Sequence, residues 1–244
     1  QLTPGSTKLL VIGGNGYVGR ELCKNAVQMG YKVTSLSRRG ECPDPKDSDL
    51  AQVEWRAGNA LDKPTVNSMV GEADAVVHAI GLLFDVDSGL TWANRFTSFS
   101  QSTPDPSEST YDRITRETAF NVIDAIQNNV LRPGPPLQKP VPLAFVSCAE
   151  AGWPDVPLGD RVEAVSPEWL LRYLVAKRAV EAKLTSSSKL RAIMYRPSLI
   201  WSWGKLDVLP VIPVFNIANA LGVPFVDKTV RVEALGKAIV AGLA

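Results

Sequence analysis

The 244-residue chain has few metal-ligating side chains, with a single histidine, His78, and three cysteines. Cys23, Cys42 and Cys148 are widely spaced and form no C-x-x-C pair, which excludes a disulfide scaffold and a zinc site built on such a pair. A lone histidine also argues against a histidine-based metal centre and a Ser-His-Asp hydrolase. We therefore expect no metal site, a reducing compartment, and a core role for His78.

Neither charge sign is in excess, because 26 basic residues face 25 acidic ones and the formal net charge is +1. This balance provides no electrostatic argument for binding nucleic acid or an anionic membrane. No apolar run reaches about 18 residues, so no transmembrane helix is predicted. The start at Gln1 is compatible with removal of an organellar transit peptide, or simply with a trimmed chain.

Glycines follow the first strand-like run at a spacing that is typical of a nucleotide site. The apolar run Lys8–Ile12 leads into Gly13, Gly16 and Gly19, and a helix is predicted over Arg20–Met29. Gly13 allows a tight turn, Gly16 lets phosphate approach the backbone, and Gly19 lets the helix pack on the strand. The alternative is an ordinary strand-helix turn. The predicted contacts here are Gly13, Asn15, Gly16, Tyr17, Val18 and Gly19.

Strand and helix signals alternate along the chain, which predicts an α/β fold with a doubly wound parallel sheet of the Rossmann type. The later strands are predicted at 32–37, 53–58, 73–81, 143–147 and 190–196, and the later helices at 61–70, 111–128 and 167–184. Residues 82–110 are predicted to form a long surface insertion, and the proline-rich 131–142 an irregular connection. We expect one domain over 1–244, with 203–244 as a partial cap.

A tyrosine and a lysine lie four residues apart in the last long predicted helix, at Tyr173 and Lys177. This spacing places both side chains on one helix face. A neighbouring ammonium group favours phenolate, so it is expected to lower the pKa of the tyrosine from about 10. Such a tyrosine can exchange a proton with a substrate oxygen during hydride transfer. The alternative is that the pair arises by chance.

Together these elements resemble an extended or atypical short-chain dehydrogenase/reductase. The matching elements are the glycine turn from Gly13 to Gly19, the Tyr173-x-x-x-Lys177 pair and the run Arg196–Ile200. Two stretches, Tyr173–Glu181 and Ser35–Arg38, are similar to a mitochondrial branch of this superfamily. That branch includes the coenzyme Q biosynthesis reductase-like protein and the dehydrogenase-fold accessory subunit of respiratory complex I.

The end of the second predicted strand bears on the choice of cofactor. NAD-preferring sites carry an acidic side chain there, whereas this chain has Ser37, Arg38 and Arg39. A hydroxyl and guanidinium groups suit a 2′-phosphate, so NADP(H) is favoured over NAD(H). The alternative is that both arginines are solvated loop charges. The resemblance implies further cofactor contacts at Asn59, Leu61, Ala79, Ile80, Gly81, Lys177 and Pro197.

The resemblance implies that Tyr173 is the proton donor, Lys177 its tuner and ribose ligand, and Ser147 the group that orients the substrate. The chain departs from the family pattern, since Ser147 lies where the strand should still be buried and Cys148 follows it. Thr115 occupies the expected place of a structural asparagine, and Ser202 that of a glycine.

Two functions follow. The first is a mainly structural nucleotide-holding subunit of a mitochondrial, matrix-side respiratory or quinone-linked complex. The second is an active NADPH-dependent reductase of a quinone precursor or another hydrophobic carbonyl. The apolar segment 208–225 could line its pocket, although a core role is favoured. The resemblance alone indicates the mitochondrion, with a plastid as the alternative.

Overall fold

The computed structural model describes residues 2–82, 110–129, 138–203, 211–222 and 225–244. Most of the predicted insertion at 82–110 and part of the 131–142 connection lie outside these ranges. Within the described residues, no helix combines the length and apolar character needed to cross a membrane.

Six strands form one parallel sheet in the order β3-β2-β1-β4-β5-β6, which confirms the predicted doubly wound α/β fold. The strands of this sheet are β1 (Lys8–Ile12), β2 (Lys32–Ser37), β3 (Glu54–Ala57), β4 (Ala75–His78), β5 (Val141–Val146) and β6 (Leu190–Tyr195). A separate two-stranded pair joins β7 (Ile200–Trp201) to β8 (Val230–Arg231).

Helices cover both faces of the sheet. They are α1 (Tyr17–Gln28), α2 (Lys63–Glu72), α3 (Thr118–Gln127), α4 (Gly159–Ala164), α5 (Glu168–Thr185), α6 (Val211–Ala220) and α7 (Val232–Leu243). A π-helical stretch, Asp112–Glu117, leads directly into α3, and short 3₁₀ turns cover Leu50–Gln52 and Ala149–Asp155. Pro64 lies in the first turn of α2, and the Asp62 side chain caps that helix by accepting from the Thr65 backbone N–H.

The central strand β1 is buried on both faces, which explains its unbroken apolar run. Leu10 and Ile12 pack in one core with residues of α2 and α3. Leu9 and Val11 point the other way, into a second core with residues of α1 and α7. Successive side chains of a strand alternate between faces, so a strand covered on both sides needs apolar residues at every position.

One feature differs from the predictions made from the sequence. Pro142 was predicted in an irregular connection but lies in β5, where the register with β4 starts only at Leu143. A proline is tolerated there because it precedes the ladder in which a backbone donor is needed. The last helix, α7, packs against α1 and buries Ile239 and Val240 in the second core.

Candidate nucleotide site and adjoining substrate side

The glycine turn joins β1 to α1 at the carboxyl end of the sheet. Gly13 has a φ of +93°, and its N–H donates to the Leu36 carbonyl at 2.8 Å. The Gly16 N–H donates back to the Gly13 carbonyl at 3.0 Å, and α1 begins at the next residue. A Cβ on Gly19 would clash with the Gly13 carbonyl oxygen, so only glycine lets α1 approach the turn this closely.

A fourth glycine in this turn was missed by the sequence analysis. A Cβ on Gly14 would collide with the buried side chains of Ser35 and Cys23. The Gly13-Gly14 doublet was the available signal, but only the packing of β2 and α1 shows why the second glycine is needed. The Ser35 hydroxyl is fully buried and has no hydrogen-bond partner among the described residues.

The start of α1 presents a favourable surface to an anion. Its first turn, which includes Tyr17 and Val18, contains no acidic residue, so nothing there offsets the positive end of the helix dipole. The Asn15 side-chain amide donates to the carbonyl of Glu41, which lies in the loop after β2. The Asn15 side-chain oxygen is buried without a partner in the described structure. The predicted phosphate contacts thus lie together at one helix N-terminus.

The end of β2 lies beside the glycine turn, because β1 and β2 pair in parallel up to Ile12 and Leu36. The Ser37 hydroxyl accepts from the Gly40 N–H at 3.1 Å, which shapes the turn after the strand. Arg38 and Arg39 are exposed at this same edge. Both arginines therefore directly follow the strand that ends beside the glycine turn, as predicted for residues near a nucleotide ribose.

A buried asparagine that the sequence analysis missed supports the predicted adenine side. The Asn121 amide donates to the carbonyls of Ala60 and Leu61 at 3.0 and 3.2 Å, and the Leu61 N–H donates to the Asn59 side chain at 3.0 Å. Thr115, which was assigned the structural asparagine's place, is buried with no partner for its hydroxyl among the described residues. The π-helical stretch shifts the helix register, so that Asn121 and not Thr115 faces the segment after β3.

The segment after β4 also lies against the glycine turn. The Ala79 N–H donates to the Ile12 carbonyl at 2.9 Å. The Ile80 side chain lies so close to Gly13 that a Cβ there would meet it at 2.8 Å. Gly81 has open space on its Cβ side in the part of the chain described. These residues therefore border the predicted nucleotide site.

Lys177 is buried, and its Nζ donates to the Val146 carbonyl at 2.7 Å. The Nζ also lies 5.5 Å from the centroid of the Tyr173 ring. Burial lowers the pKa of Lys177 to about 8. The pKa of Tyr173 is raised well above its usual value, first by burial and then by the Cys148 and Glu150 side chains. The expectation that Lys177 lowers the tyrosine pKa is therefore wrong for this structure.

Ser147 follows β5 directly, and its N–H donates to the Tyr195 carbonyl at 2.7 Å. Its hydroxyl is buried and has no hydrogen-bond partner among the described residues. Pro197 lies nearby, because its carbonyl accepts from the Ala149 N–H at 3.0 Å. The predicted trio of Tyr173, Lys177 and Ser147 is thus not assembled as a hydrogen-bonded unit.

His78 lies at the end of β4, between the nucleotide and substrate sides. Thr118 donates its hydroxyl to the Ile114 carbonyl at 2.7 Å, so it accepts from His78 Nε2 at 2.9 Å. Burial, and then the charge of Lys177, lower the pKa of His78 to about 3. The imidazole is therefore neutral at physiological pH, as a core histidine should be.

Two arginines, Arg178 and Arg196, hold the 3₁₀ segment Ala149–Asp155 in place. Arg178 pairs with both oxygens of Glu163 at 2.7 Å and donates to the Ala151 carbonyl at 3.1 Å. Arg196 pairs with Glu181 at 2.7 and 3.1 Å and reaches Asp155 at 3.2 Å. Among the described residues, no cluster of side chains is suited to hold a metal ion.

Comparisons with known proteins agree with this geometry. Residues 9–98 match the model of the NAD dependent epimerase/dehydratase family. The chain is 24% identical to MIOREX complex component 2 of Saccharomyces cerevisiae over 215 residues, which cover 80% of this chain and 73% of that protein. An uncharacterized chloroplastic protein of Arabidopsis thaliana is 42% identical over 76 residues, which cover 31% of this chain and 25% of that protein.

Solved structures show the same fold. WbmH of Bordetella bronchiseptica, in complex with NAD+, superposes with a TM-score of 0.56 at 17% identity, covering 97% of this chain and 72% of its own. A UDP-N-acetylglucosamine 4-epimerase from Methanobrevibacter ruminantium M1 reaches a TM-score of 0.61 at 18% identity, covering 97% of this chain and 73% of its own.

Proposed function

We propose that this chain, a Rossmann-type member of the short-chain dehydrogenases/reductases, holds NADP(H) as a mainly structural nucleotide within a mitochondrial complex. The observation that supports this best is the contrast at the site itself. The turn from Gly13 to Gly19 has the hydrogen bonds and close approach of a phosphate-binding turn. The pKa of the Tyr173 phenol, however, is raised well above its usual value, so the phenol is a weak proton donor.

A nucleotide that binds only the folded protein stabilises it by mass action, without any turnover. The site is suited to this role because it joins three parts of the chain that are distant in sequence. The glycine turn, the end of β2 and the segment after β4 would each contact one cofactor. We further propose that the chain functions as a single NAD(P)-binding unit.

NADP(H) is proposed over NAD(H) because Arg38 and Arg39 lie at the edge where a 2′-phosphate would be. The double variant Arg38→Ala with Arg39→Ala should weaken NADPH binding about tenfold more than NADH binding, since only NADPH carries the charge that the guanidinium groups recognise. Isothermal titration of both nucleotides measures this. Equal losses would remove the argument, and Lys8→Ala, at the opposite end of the sheet, is the control for lost charge.

The proposed partners are protein subunits of a respiratory or quinone-linked assembly, of the complex I type, on the matrix side of the mitochondrial membrane. Support comes from the earlier resemblance and from the yeast relative, whose name describes it as a component of a complex. The chloroplastic relative keeps a plastid as the alternative location. Purification of the tagged protein from mitochondria, followed by sizing and identification of co-eluting subunits, tests this proposal.

An active NADPH-dependent reductase of a quinone or another hydrophobic carbonyl is the second candidate. Aromatic rings around the substrate side favour it. Tyr111 packs edge-on against Tyr173 at 5.4 Å between centroids, and Trp153 packs against Phe225 at 6.2 Å. Flat apolar substrates stack well on such rings. In α6, Ile217 is 60% exposed, so part of the 208–225 segment is not buried as core.

Release of the bound nucleotide separates the two candidates. The purified protein is denatured, and any nucleotide released is identified and quantified by mass spectrometry. We expect NADP(H) that survives purification and is not oxidised in a single turnover with a short-chain quinone. Exchangeable nucleotide and Tyr173-dependent oxidation would instead favour the reductase. If no nucleotide is present and none is taken up, the proposed site is wrong.

A further inference from the structure

Helix α6 turns its polar side chains towards the protein. The Asn216 side-chain oxygen accepts from the N–H and the hydroxyl of Thr229 at 3.3 and 3.1 Å. The Asn219 side-chain amide donates to the Val226 carbonyl at 2.9 Å. These bonds hold the helix on the segment that leads into β8. A surface helix normally turns its polar side to water, so the orientation of α6 is the reverse of the usual one.

The opposite face of α6 is apolar and exposed. Val214 is 64% exposed, Ile217 60% and Leu221 77%. Their spacing of three and four residues places them on one stripe of the helix, away from the asparagines. Leu221 belongs to this stripe because its N–H donates to the Ile217 carbonyl at 2.9 Å, which extends the helix by one residue. A contiguous exposed apolar surface of this kind marks a binding face.

This apolar stripe is also free of charge. The sequence of α6 contains no acidic or basic residue, although 21% of the chain is charged. The charges in the following segment balance, because Asp227 and Lys228 are adjacent and Arg231 pairs with Glu233 at 3.2 Å. An occupant of the stripe therefore needs no charge of its own, and no charge of α6 has to leave water when the stripe is covered.

The size of the stripe distinguishes between possible occupants. Ten helical residues span about 15 Å, and only one side of them is offered. A stable protein interface takes about 20–30 residues from each partner, so this stripe alone is too small to hold a second copy or another subunit. A lipid bilayer needs only one apolar side of a helix that lies in its surface.

An exposed indole lies in the same part of the fold. Trp203 is 65% exposed and packs edge-on against Trp201, with 5.3 Å between the ring centroids. Trp201 ends β7, which pairs with β8, and α6 holds the segment that leads into β8. The indole and the stripe thus both adjoin the β7–β8 pair. Tryptophan is enriched at the boundary between water and lipid, so its chemistry matches that of the stripe.

We propose that α6 docks this protein on the surface of a neutral lipid bilayer, with Val214, Ile217 and Leu221 entering the boundary between head groups and acyl chains. The helix lies in the plane of the membrane, because its ten residues are too few to cross it. This inference goes beyond the proposed function and does not depend on a bound nucleotide, since the glycine turn is built by β1 and α1.

Flotation of the full chain with vesicles of phosphatidylcholine tests the proposal. The native protein should float with the vesicles, and added salt should not weaken this binding, because no net charge drives it. Ile217→Glu should weaken binding about tenfold or more, since a carboxylate then has to leave water. Ile217→Leu should bind like the native protein. Val175→Glu is the matched control, because Val175 is 62% exposed in another helix, α5, and its replacement should change nothing.

Three results would overturn the proposal. The first is a native protein that does not float, or that floats only with added phosphatidylglycerol and is released by salt. The second is an equal loss of binding in Val175→Glu and Ile217→Glu. The third is a dimer, seen by sedimentation without lipid, that Ile217→Glu dissociates, because the stripe would then be an interface between copies. If urea unfolding shows that Ile217→Glu is not folded, Leu221→Glu at the end of the helix replaces it with the same expectation.

Nucleotide retention is measured in the same native sample by mass spectrometry after denaturation. Flotation without retained nucleotide would support the docking face and contradict the proposed function. Retained nucleotide without flotation would contradict the docking face and leave the proposed function intact.

Discussion

The two sides of the site are built from different parts of the chain. The nucleotide side consists mainly of backbone, with the turn at Gly13 and Gly16 bonded to itself and to β2. The substrate side consists mainly of side chains, of which Lys177 is already bonded to the buried Val146 carbonyl. A backbone turn can receive phosphate without rearrangement, whereas engaged side chains must first exchange partners. This difference is the basis of the proposal that the nucleotide is mainly structural.

The largest expected effect comes from a substitution that prevents the close packing of α1 on the glycine turn. Gly19→Ala places a Cβ against the Gly13 carbonyl and should cost about 3 kcal/mol or more of stability. Gly71→Ala is the matched control, since Gly71 also lies in a helix and has van der Waals space for a Cβ. It should be neutral or stabilise by up to about 1 kcal/mol. Urea unfolding of both variants measures the contrast, and equal effects would contradict the close approach.

Blocking the phosphate site while keeping the turn should separate binding from folding. Gly16 has a φ of −72° and a ψ of 172°, which other residues adopt freely. An added Cβ would meet only the Gly13 carbonyl oxygen, at 3.1 Å, so Gly16→Val should fold with a small local shift. Its side chain should weaken nucleotide binding about 100-fold or more, equivalent to about 2.7 kcal/mol. Titration calorimetry with NADPH measures this. Unchanged affinity in a folded variant would place the nucleotide elsewhere.

The pH dependence of stability tests whether His78, between the two sides of the site, is buried as a neutral imidazole. Its pKa is lowered from 6.5 to about 3, so the unfolded chain binds one more proton than the folded chain between these values. Stability should therefore fall as the pH drops through this window. Between pH 7.5 and 5, the native protein should lose about 2 kcal/mol more than His78→Gln does. Urea unfolding at both pH values measures this, and because the chain has one histidine, histidine NMR can report the neutral imidazole directly.

The smallest predicted effect concerns the adenine side. Asn121→Ala leaves the Ala60 and Leu61 carbonyls without their buried donor and should cost about 1 kcal/mol. Thr115→Val removes a buried hydroxyl that has no partner among the described residues, so it should cost less or nothing. Thermal unfolding of both variants shows which residue supports this side. A larger loss in Thr115→Val would reverse the assignment made here.

Much of the fold was predictable because its signals are local. The bounds of β2 agree with the sequence prediction, and those of β1, β4 and α5 differ by a few residues at most at each end. The prediction for Pro142 was wrong because proline was assumed to end any strand. The pairing of β5 with β4 starts only at the next residue, Leu143, so β5 can include the proline. The role of Asn121 depends on which groups face it across the fold, and such contacts leave no periodic pattern in the sequence.

The sequence by itself determined the alternating strands and helices, the glycine turn between β1 and α1, and the pairing of Tyr173 with Lys177 on one helix, because each depends on spacing within a few residues. Only the tertiary structure decided the ionisation of these side chains. Burial raises the pKa of Tyr173 and lowers that of Lys177, and it outweighs the effect of their proximity. Desolvation depends on everything packed around a group, and residues distant in sequence supply that packing.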